Sequence, residues 1–288
     1  MNMSQVAAKR APMPRTPGLN QRETQSVPRG AKSRRKRVIP KVAPPLVTLI
    51  TLLALWQFVS KAGLVNPLVL PAPTDVVSAL IGLAGESFFW LALRVTLWEA
   101  EAGFVIGAGT GIVLATLISL IPLVRQAVYP LAVLFQTTPQ VALAPLFFVW
   151  FGFGLTPRVL FAATTCFFPV LVSVIVGLST APPDARTLMR SLGATRWQLF
   201  RKLQWPFALP VVFAGIRTAV PLSLIGALVG EFVGGNEGMG VLITTFNMQL
   251  DMPNTFAVIS ALGIVGLAAY RLVEFADQKI VFWQRREN

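Results

Sequence analysis

The chain has 288 residues, of which 54% are hydrophobic and only 13% are charged, and its formal net charge is +13. This composition excludes an ordinary soluble domain, where about a quarter of the residues are charged, and it is typical of a membrane protein with several spans. The absence of histidine and the single cysteine exclude a disulfide framework and a zinc or haem site built on these residues.

The positive charge is concentrated in segments that alternate with hydrophobic runs. Eleven of the 25 Lys and Arg residues lie in residues 1–41, and nine more are Arg125, five residues of a basic loop at 182–206, and Lys279, Arg285 and Arg286. Cytoplasmic segments of membrane proteins carry such an excess of Lys and Arg. The charge therefore predicts that both termini and the basic loop are cytoplasmic, and it does not indicate a nucleic-acid partner.

The N-terminal part predicts a tail followed by a first span. Residues 1–44 are rich in Pro, Arg, Lys and Ser, and we predict a disordered basic cytoplasmic tail. Its run KSRRKR is typical of a segment that contacts anionic membrane lipid, although a solvated topology signal is the simpler explanation. Residues 45–90 predict the first transmembrane helix and an outer amphipathic segment, with Thr74 and Asp75 as its N-cap.

The second hydrophobic run has a row of small residues, and the third has a group of polar residues. In the second, at 96–120, small residues recur every fourth position and predict close helix packing: Gly103, Gly107, Gly111, Ala115 and Ser119. The third, at 127–151, is interrupted by prolines and contains a polar group: Gln136, Thr137, Thr138 and Gln140. These side chains either line a solute pathway or satisfy backbone carbonyls that Pro139 leaves without a donor, and the sequence favours neither alternative.

Three further runs complete an all-α membrane protein with six predicted transmembrane helices. They lie at 157–180, 211–233 and 253–276, each near the roughly 20 residues that a span requires. The fifth has its own row of small residues: Gly215, Ala219, Ser223 and Ala227. We predict a transmembrane domain at 91–280, which includes the loop at 182–206, and a cytoplasmic tail at 281–288.

Four charged residues inside or near these spans require an interpretation. Arg217 and Glu274 lie at similar depth from the same side, and an unpaired charge there is costly. We therefore predict that they form a structural ion pair. Glu99 and Glu101 lie near the outer end of the second span, where we expect them to reach water, and a role in a proton relay is the less favoured alternative.

The sequence lacks the motifs of an ATPase or of an intramembrane hydrolase. It has no GxxxxGK[ST], HExxH or GxSxG, and no Cys/His cluster, so we predict that the chain is not an enzyme and binds no nucleotide or metal. A stand-alone secondary transporter or channel remains the main alternative to a chain that is driven by a partner, and a membrane enzyme comes third.

The basic loop has the composition of a docking segment. It is bounded by prolines and interrupted by Gly193, which predicts two short helices. Its arginines are expected to point outward beside apolar residues such as Trp197, Leu199 and Phe200. Apolar anchors with a basic surround suit a groove on a soluble partner, whereas the simpler alternative is a loop that only sets topology.

The loop resembles the EAA loop, E-A-A-x-x-x-G-x9-I-x-L-P, of permease subunits in bacterial ATP-binding-cassette (ABC) importers. Gly193 matches the glycine and Pro206 the final proline at the required spacing, with Leu203 in place of isoleucine. The sequence departs at Thr187-Leu188-Met189, which replaces Glu-Ala-Ala, and at Trp205. Further segments are similar to the branch for nitrate, aliphatic sulfonate, taurine and bicarbonate, namely LPAPTDVVSAL, TPQVALAPLFFVWFGFG, FFPVLV and GEFVGGNEGMGVLI.

This resemblance implies a type I importer permease in the bacterial inner membrane. Its implied partners are a cytoplasmic ATPase that binds ATP and Mg²⁺, an external substrate-binding protein and a second permease chain that forms a homodimer with this one. The loop residues implied in ATPase coupling are Arg186, Arg190, Gly193, Ala194, Arg196, Trp197, Phe200, Arg201 and Pro206. The residues predicted to line the pathway are Gln136, Thr137, Thr138, Gln140 and Ser223.

Overall fold

The computed structural model describes residues 43–282, so nearly all of the predicted tails at 1–44 and 281–288 lies outside the described residues. Regular structure within this range is helical. In chain order the elements are α1 (Ala43–Lys61), α2 (Pro73–Ala84), α3 (Ser87–Ser119), α4 (Pro122–Thr137), a 3-10 turn (Gln140–Leu143), α5 (Ala144–Phe151), α6 (Leu155–Gly177), α7 (Pro183–Ser191), α8 (Arg196–Leu199), a π-helical turn (Phe200–Gln204), α9 (Trp205–Gly234), α10 (Met239–Met248) and α11 (Met252–Ile280).

Contacts divide the chain into residues Met1–Val47 and Thr48–Asn288. The second unit contains α2 to α11 and most of α1, and all contacts described below lie within it. The first unit contributes only the start of α1 to the described residues.

In the described part of the chain, four continuous helical segments are long and apolar enough to cross a membrane: α3, α6, the segment from α8 through α9, and α11. A fifth candidate is the bent pair of α4 with the 3-10 turn and α5, whose two halves meet at 84°. The apolar part of α1, Leu46–Lys61, is shorter than these. Residues 43–282 therefore contain four candidate membrane spans, or five if the bent pair counts as one, which is the pattern of a multi-pass membrane protein. The predicted count of six stays a prediction.

Helix α6 lies between α3 and α9, and small residues allow both close approaches. A Cβ atom on Gly107 of α3 would lie 2.2 Å from the carbonyl oxygen of Ala163. On the other side, a Cβ atom on Gly215 of α9 would lie 2.3 Å from Oγ of Ser173. Helices this close leave no room for a larger residue at either glycine. The two predicted rows of small residues are confirmed as packing surfaces.

Helices α2 and α10 pack against α11 and α3 around a second apolar core, which includes Val76, Met239 and Val258. The prediction that Thr74 and Asp75 form the N-cap of α2 is wrong, because the helix already begins at Pro73 and its N-cap residue is Ala72. Their side chains instead contact α1, where Asp75 pairs with Lys61 at 3.2 Å.

The predicted ion pair between Arg217 and Glu274 is wrong. Arg217 Nη2 lies 3.2 Å from Oδ2 of Asp277, whereas Glu274 pairs with Arg271 at 2.9 Å. Asp277 lies three residues beyond Glu274 and so on nearly the same side of α11. The sequence argument found the correct pair of helices but placed the contact one turn too early, because the predicted span ended at residue 276.

Candidate functional site

The basic loop consists of two short helices with a defined break. Helix α7 ends at Ser191, and Gly193 adopts φ +77°, a conformation that glycine enters without strain. The N–H of Gly193 donates to Arg190 and that of Ala194 to Met189, both at 3.0 Å, which is the Schellman pattern. Thr195 then caps α8 in a reciprocal arrangement with Gln198. The predicted break at Gly193 is confirmed.

The loop has a small apolar core of its own. Buried Leu199 and Leu203 meet Ala181 just before α7, with Ala185 and Met189 packed against them. The prediction that Leu199 offers a contact surface is wrong, since its side chain holds α8 and the π-helical turn against α7. The loop is therefore a folded unit.

The outside of this folded unit has an exposed surface that is both apolar and basic. Trp197 is 65% exposed and Leu192 76% exposed, and Leu188 is also exposed. Trp197 stacks on half-buried Phe200, with ring centroids 5.5 Å apart, which holds the indole in place. The exposed basic side chains of the same loop are Arg190, Arg196, Arg201 and Lys202.

Two of the predicted loop residues, Arg186 and Pro206, do not belong to this exposed surface. Arg186 is half-buried and donates through Nη2 to the carbonyl of Leu178 at 3.1 Å, so the prediction that it points outward is wrong. Burial, with Arg125 and Arg190 nearby, lowers the pKa of Arg186. Pro206 lies in the first turn of α9, where proline is tolerated, so α9 begins within the predicted loop and continues through Pro210.

The polar group of the third hydrophobic run lies at the break between α4 and α5. Thr137 and Thr138 both donate to the carbonyl of Leu134, at 2.9 and 3.0 Å. Pro139 follows directly and lacks an N–H, so these hydroxyls compensate for the interrupted helix ladder. Gln136 and both threonines are nevertheless exposed, and Gln140 is half-buried. Their predicted role in a pathway stays a prediction.

Ser223 lies apart from this break. It is buried on α9, donates to the carbonyl of Val220 at 2.8 Å, and borders a mostly apolar cavity of about 190 Å³ between α3, α9 and α11. Glu101 lines the same cavity, and the residues of the break do not. The structure therefore does not bring the five predicted pathway residues together in this cavity.

A buried ionic cluster at the other end of α6 was not anticipated. Arg158 lies one turn from the start of α6, and its Nη1 is 2.5 Å from Oε1 of Glu99 on α3. The Arg158 side chain is only 6% exposed and that of Glu99 is fully buried. Arg158 also donates to the carbonyls of Gly154 and Glu237, at 3.0 and 3.2 Å. The expectation that Glu99 reaches water is wrong, whereas Glu101, two positions on, is exposed.

Glu231 completes this cluster from α9. Its carboxylate accepts a hydrogen bond from Thr96 Oγ1 at 2.6 Å and another from the N–H of Gly240 at 2.5 Å. The chain after α9 folds back over this carboxylate. Gly238 lies so close to it that an added Cβ atom would be 2.3 Å from the Glu231 carboxyl carbon, and its φ of +120° also favours glycine. Glu231 thus fixes the loop that leads into α10.

The buried ionic cluster, defined as Thr96, Glu99, Arg158 and Glu231, ties together the three central helices. A sequence signal for it existed, because Glu99, Arg158 and Glu231 are charges within apolar runs, where partners are required. What the sequence could not show was which charges meet. Within residues 43–282, no three Cys, Asp or Glu side chains gather in a way that could hold a metal ion.

Comparison with known proteins identifies similar chains over most of this length. The family model described as binding-protein-dependent transport system inner membrane component matches residues 107–282. The formylaminopyrimidine transport permease of Halalkalibacterium halodurans is 35% identical over 84% of this chain and 96% of its own. The riboflavin transport system permease of Chloroflexus aurantiacus is 34% identical over 83% of this chain and 89% of its own.

The branch that the sequence motifs indicated is also confirmed. The taurine transport system permease of Escherichia coli is 27% identical over 78% of this chain and 82% of its own, and further relatives are named as permeases for aliphatic sulfonates and nitrate. Among solved structures, a chain of the inward-facing MetNI methionine ABC transporter matches with a TM-score of 0.50, 22% identity, and coverage of 67% of this chain and 92% of that one. At this identity the match shows a shared fold alone.

Proposed function

Because this chain belongs to the family of binding-protein-dependent transport system inner membrane components, we propose that it is the permease subunit of an ATP-driven importer for a small solute. In this proposal an external binding protein delivers the solute, and a second copy of the chain completes the pore. ATP and Mg²⁺ bind to a separate ATPase subunit. The transported solutes named for the relatives belong to those proteins, and the binding protein of this system selects its own.

The proposed topology places the chain in a bacterial inner membrane with both termini in the cytoplasm. Helix α1 then provides the first of six crossings and the bent pair of α4 and α5 the third, as in a type I importer permease. Counting from the cytoplasmic N-terminus, the basic loop follows the fourth crossing and faces the cytoplasm. Its excess of Lys and Arg supports this orientation.

The observation that carries this proposal is the surface of the basic loop. Exposed Trp197, Leu192 and Leu188 are surrounded by arginines, on a unit whose own core is already formed by Leu199 and Leu203. Aromatic anchors with a basic rim are typical of protein interfaces. We infer that this surface enters a groove on the ATPase, with Arg190, Arg196 and Arg201 at the rim.

The same geometry suggests how movement of the ATPase reaches the pore. The helical path from α8 through the π-helical turn into α9 is continuous from Arg196 to Gly234. Because Leu199 and Leu203 fix its first turns to α7, a displacement of the loop moves α9 as well. Helix α9 carries Glu231 at its far end, so the displacement is transmitted to the buried ionic cluster and the loop before α10.

Transport by the reconstituted chain is expected to require the ATPase. Vesicles that contain the permease, the cognate ATPase and ATP, with binding protein outside, should accumulate the labelled solute that the binding protein binds. Vesicles that lack the ATPase, or contain a non-hydrolysable ATP analogue, should not. If the permease alone transports the solute down an ion gradient, the chain is a secondary transporter and the importer proposal fails.

Substitutions in the basic loop are expected to release the ATPase without affecting membrane insertion. Trp197→Ala removes the exposed anchor, and loss of an aromatic hot spot typically costs at least about 2 kcal/mol of binding, or roughly thirtyfold in affinity. Gly193→Arg meets no atom within 4 Å of its Cβ, but it strains the φ +77° backbone by about 1–2 kcal/mol and adds charge at the break. Co-purification of the ATPase with the tagged permease measures both effects.

A matched control is Phe153→Ala, at the turn between α5 and α6. Phe153 is 84% exposed but lies at the opposite end of α6 from the basic loop. We expect Phe153→Ala to retain the ATPase at the wild-type level. Equal loss of ATPase in Phe153→Ala and Trp197→Ala would mean that the loop surface is not the contact.

A further inference from the structure

A cavity of about 400 Å³ lies between the first turns of α4 and the last turns of α6, close to the basic loop. From α4 it is lined by Arg125, Gln126 and Tyr129, from the end of α6 by Ile175 and Val176, and from the turn after α6 by Ser179. None of these residues belongs to the loop surface or to the polar break described above.

The cavity contains hydrogen-bond donors that the protein does not use. Within residues 43–282, the side chains of Arg125, Gln126 and Tyr129 donate to no protein acceptor, and no carboxylate lies within ion-pair distance of Arg125. Only Ser179 is already engaged, since its hydroxyl donates to the carbonyl of Val176. Three side chains of a single helix thus line one space, with five N–H groups from Arg125, two from Gln126 and one O–H group from Tyr129.

A second arginine lies beside this cavity. Arg186 donates through Nη2 to the carbonyl of Leu178, the residue before the lining Ser179. Its Nε is buried and has no hydrogen-bond partner among the described residues. Arg125 is close enough to Arg186 for the two positive charges to repel each other, and they have no acidic partner in the described part of the chain.

An anion close to both arginines would offset their repulsion and offer an acceptor to the unused donors, and each of these otherwise carries a free-energy cost. An oxyanion offers several acceptor oxygens, and arginine binds phosphate and similar groups through its fork of donors. We propose that this cavity binds one oxyanion group, a phosphate or sulfonate, held by Arg125 with Gln126 and Tyr129, and with Arg186 at its edge.

Two sources could supply this oxyanion group: the headgroup of a phospholipid or a free anion in solution. The start of α4, one turn before Arg125, is apolar and exposed, with Ile121 54% and Leu123 77% exposed, as contact with the acyl chains of a phospholipid requires. A free oxyanion needs only the donors. In either case the bound anion joins α4 to α6 and to Arg186 in α7, and so links the basic loop to the broken span.

The test compares purified full-length wild-type chain with Arg125→Gln and with Tyr129→Phe, which removes a single hydroxyl. In the lipid arm, native mass spectrometry counts phosphatidylglycerol and phosphatidylcholine molecules retained from mixed micelles. In the second arm, inorganic phosphate is titrated in neutral detergent without lipid, and binding is followed by calorimetry. Arg271→Gln is the control, because it likewise removes one arginine charge, but from α11 and not from a residue that lines the cavity.

Arg125→Gln is expected to lower the affinity for the anion about tenfold or more, and Tyr129→Phe a few-fold, with Arg271→Gln unchanged. Loss of phosphatidylglycerol preference identifies a lipid headgroup, and loss of phosphate binding identifies a free oxyanion. If neither anion binds, or if both bind Arg125→Gln as tightly as wild type, the proposal is wrong. If Arg125→Gln affects only co-purification of the ATPase, the arginine is a protein contact and the proposal is likewise overturned.

Discussion

Replacing Arg158 by methionine is expected to destabilise the folded chain by about 3–5 kcal/mol, because it leaves the fully buried carboxylate of Glu99 without its partner. Methionine keeps much of the side-chain volume, so loss of packing contributes little. The substitution also removes donors from the carbonyls of Gly154 and Glu237 and so loosens both turns at this end of α6. Thermal unfolding of the purified protein in detergent measures the loss.

A second substitution separates the ion pair from other effects. In Arg158→Met combined with Glu99→Gln, the uncompensated buried charge is absent, and we expect the double variant to be more stable than Arg158→Met alone. The control is Arg271→Met, which breaks an exposed pair with Glu274 and should cost less than about 1 kcal/mol. A double variant as unstable as the single one would show that Arg158 does not act through Glu99.

Gly107→Ala is expected to destabilise the chain by about 3 kcal/mol, the upper end of the usual range for overpacking. The added Cβ would lie 2.2 Å from the carbonyl oxygen of Ala163 and 2.6 Å from Sγ of Cys166. The first of these atoms is backbone within a helix and has little freedom to yield. Helices α3 and α6 must therefore separate, and this contact lies at the centre of the bundle.

The matched control is Gly109→Ala, on the same helix. Gly109 is exposed, and an added Cβ there meets nothing within 4 Å. Because alanine is the better helix former, this variant should be unchanged or more stable by up to about 1 kcal/mol. Size-exclusion profiles and melting temperatures of the two variants give the comparison. A Gly107→Ala protein as stable as Gly109→Ala would mean that α3 does not pack on α6 through this glycine.

The two predictions concern one structural feature, the attachment of α3 and α9 to α6. Small residues bring the backbones together along the helices, and the buried ionic cluster joins the same three helices at one end. A bundle held in this way has few alternative arrangements, because neither the close backbone contacts nor the buried charges tolerate small shifts. In the proposed importer, this rigid core is the part that movements of the basic loop act on.

Local features were predictable from the sequence because their causes are local. The break at Gly193, the packing role of Gly103 and Gly107, and the membrane character of the chain follow from backbone preference, side-chain size and hydrophobicity, which each residue carries with it. The family was also recognisable, since the glycine and proline of the basic loop occur at a characteristic spacing.

Pairings between distant segments required the tertiary structure. Arg217 meets Asp277 instead of Glu274, and Glu99 meets Arg158 instead of water, because a contact between helices depends on where each helix begins and how it is rotated. If one helix is shifted by one turn relative to its neighbour, a different charged residue becomes the partner. The hydrophobicity of the sequence does not indicate such a shift. For this protein, the sequence by itself determined the class, the family and the basic loop. Only the tertiary structure decided which charges are buried together, because partner choice depends on distances across the bundle.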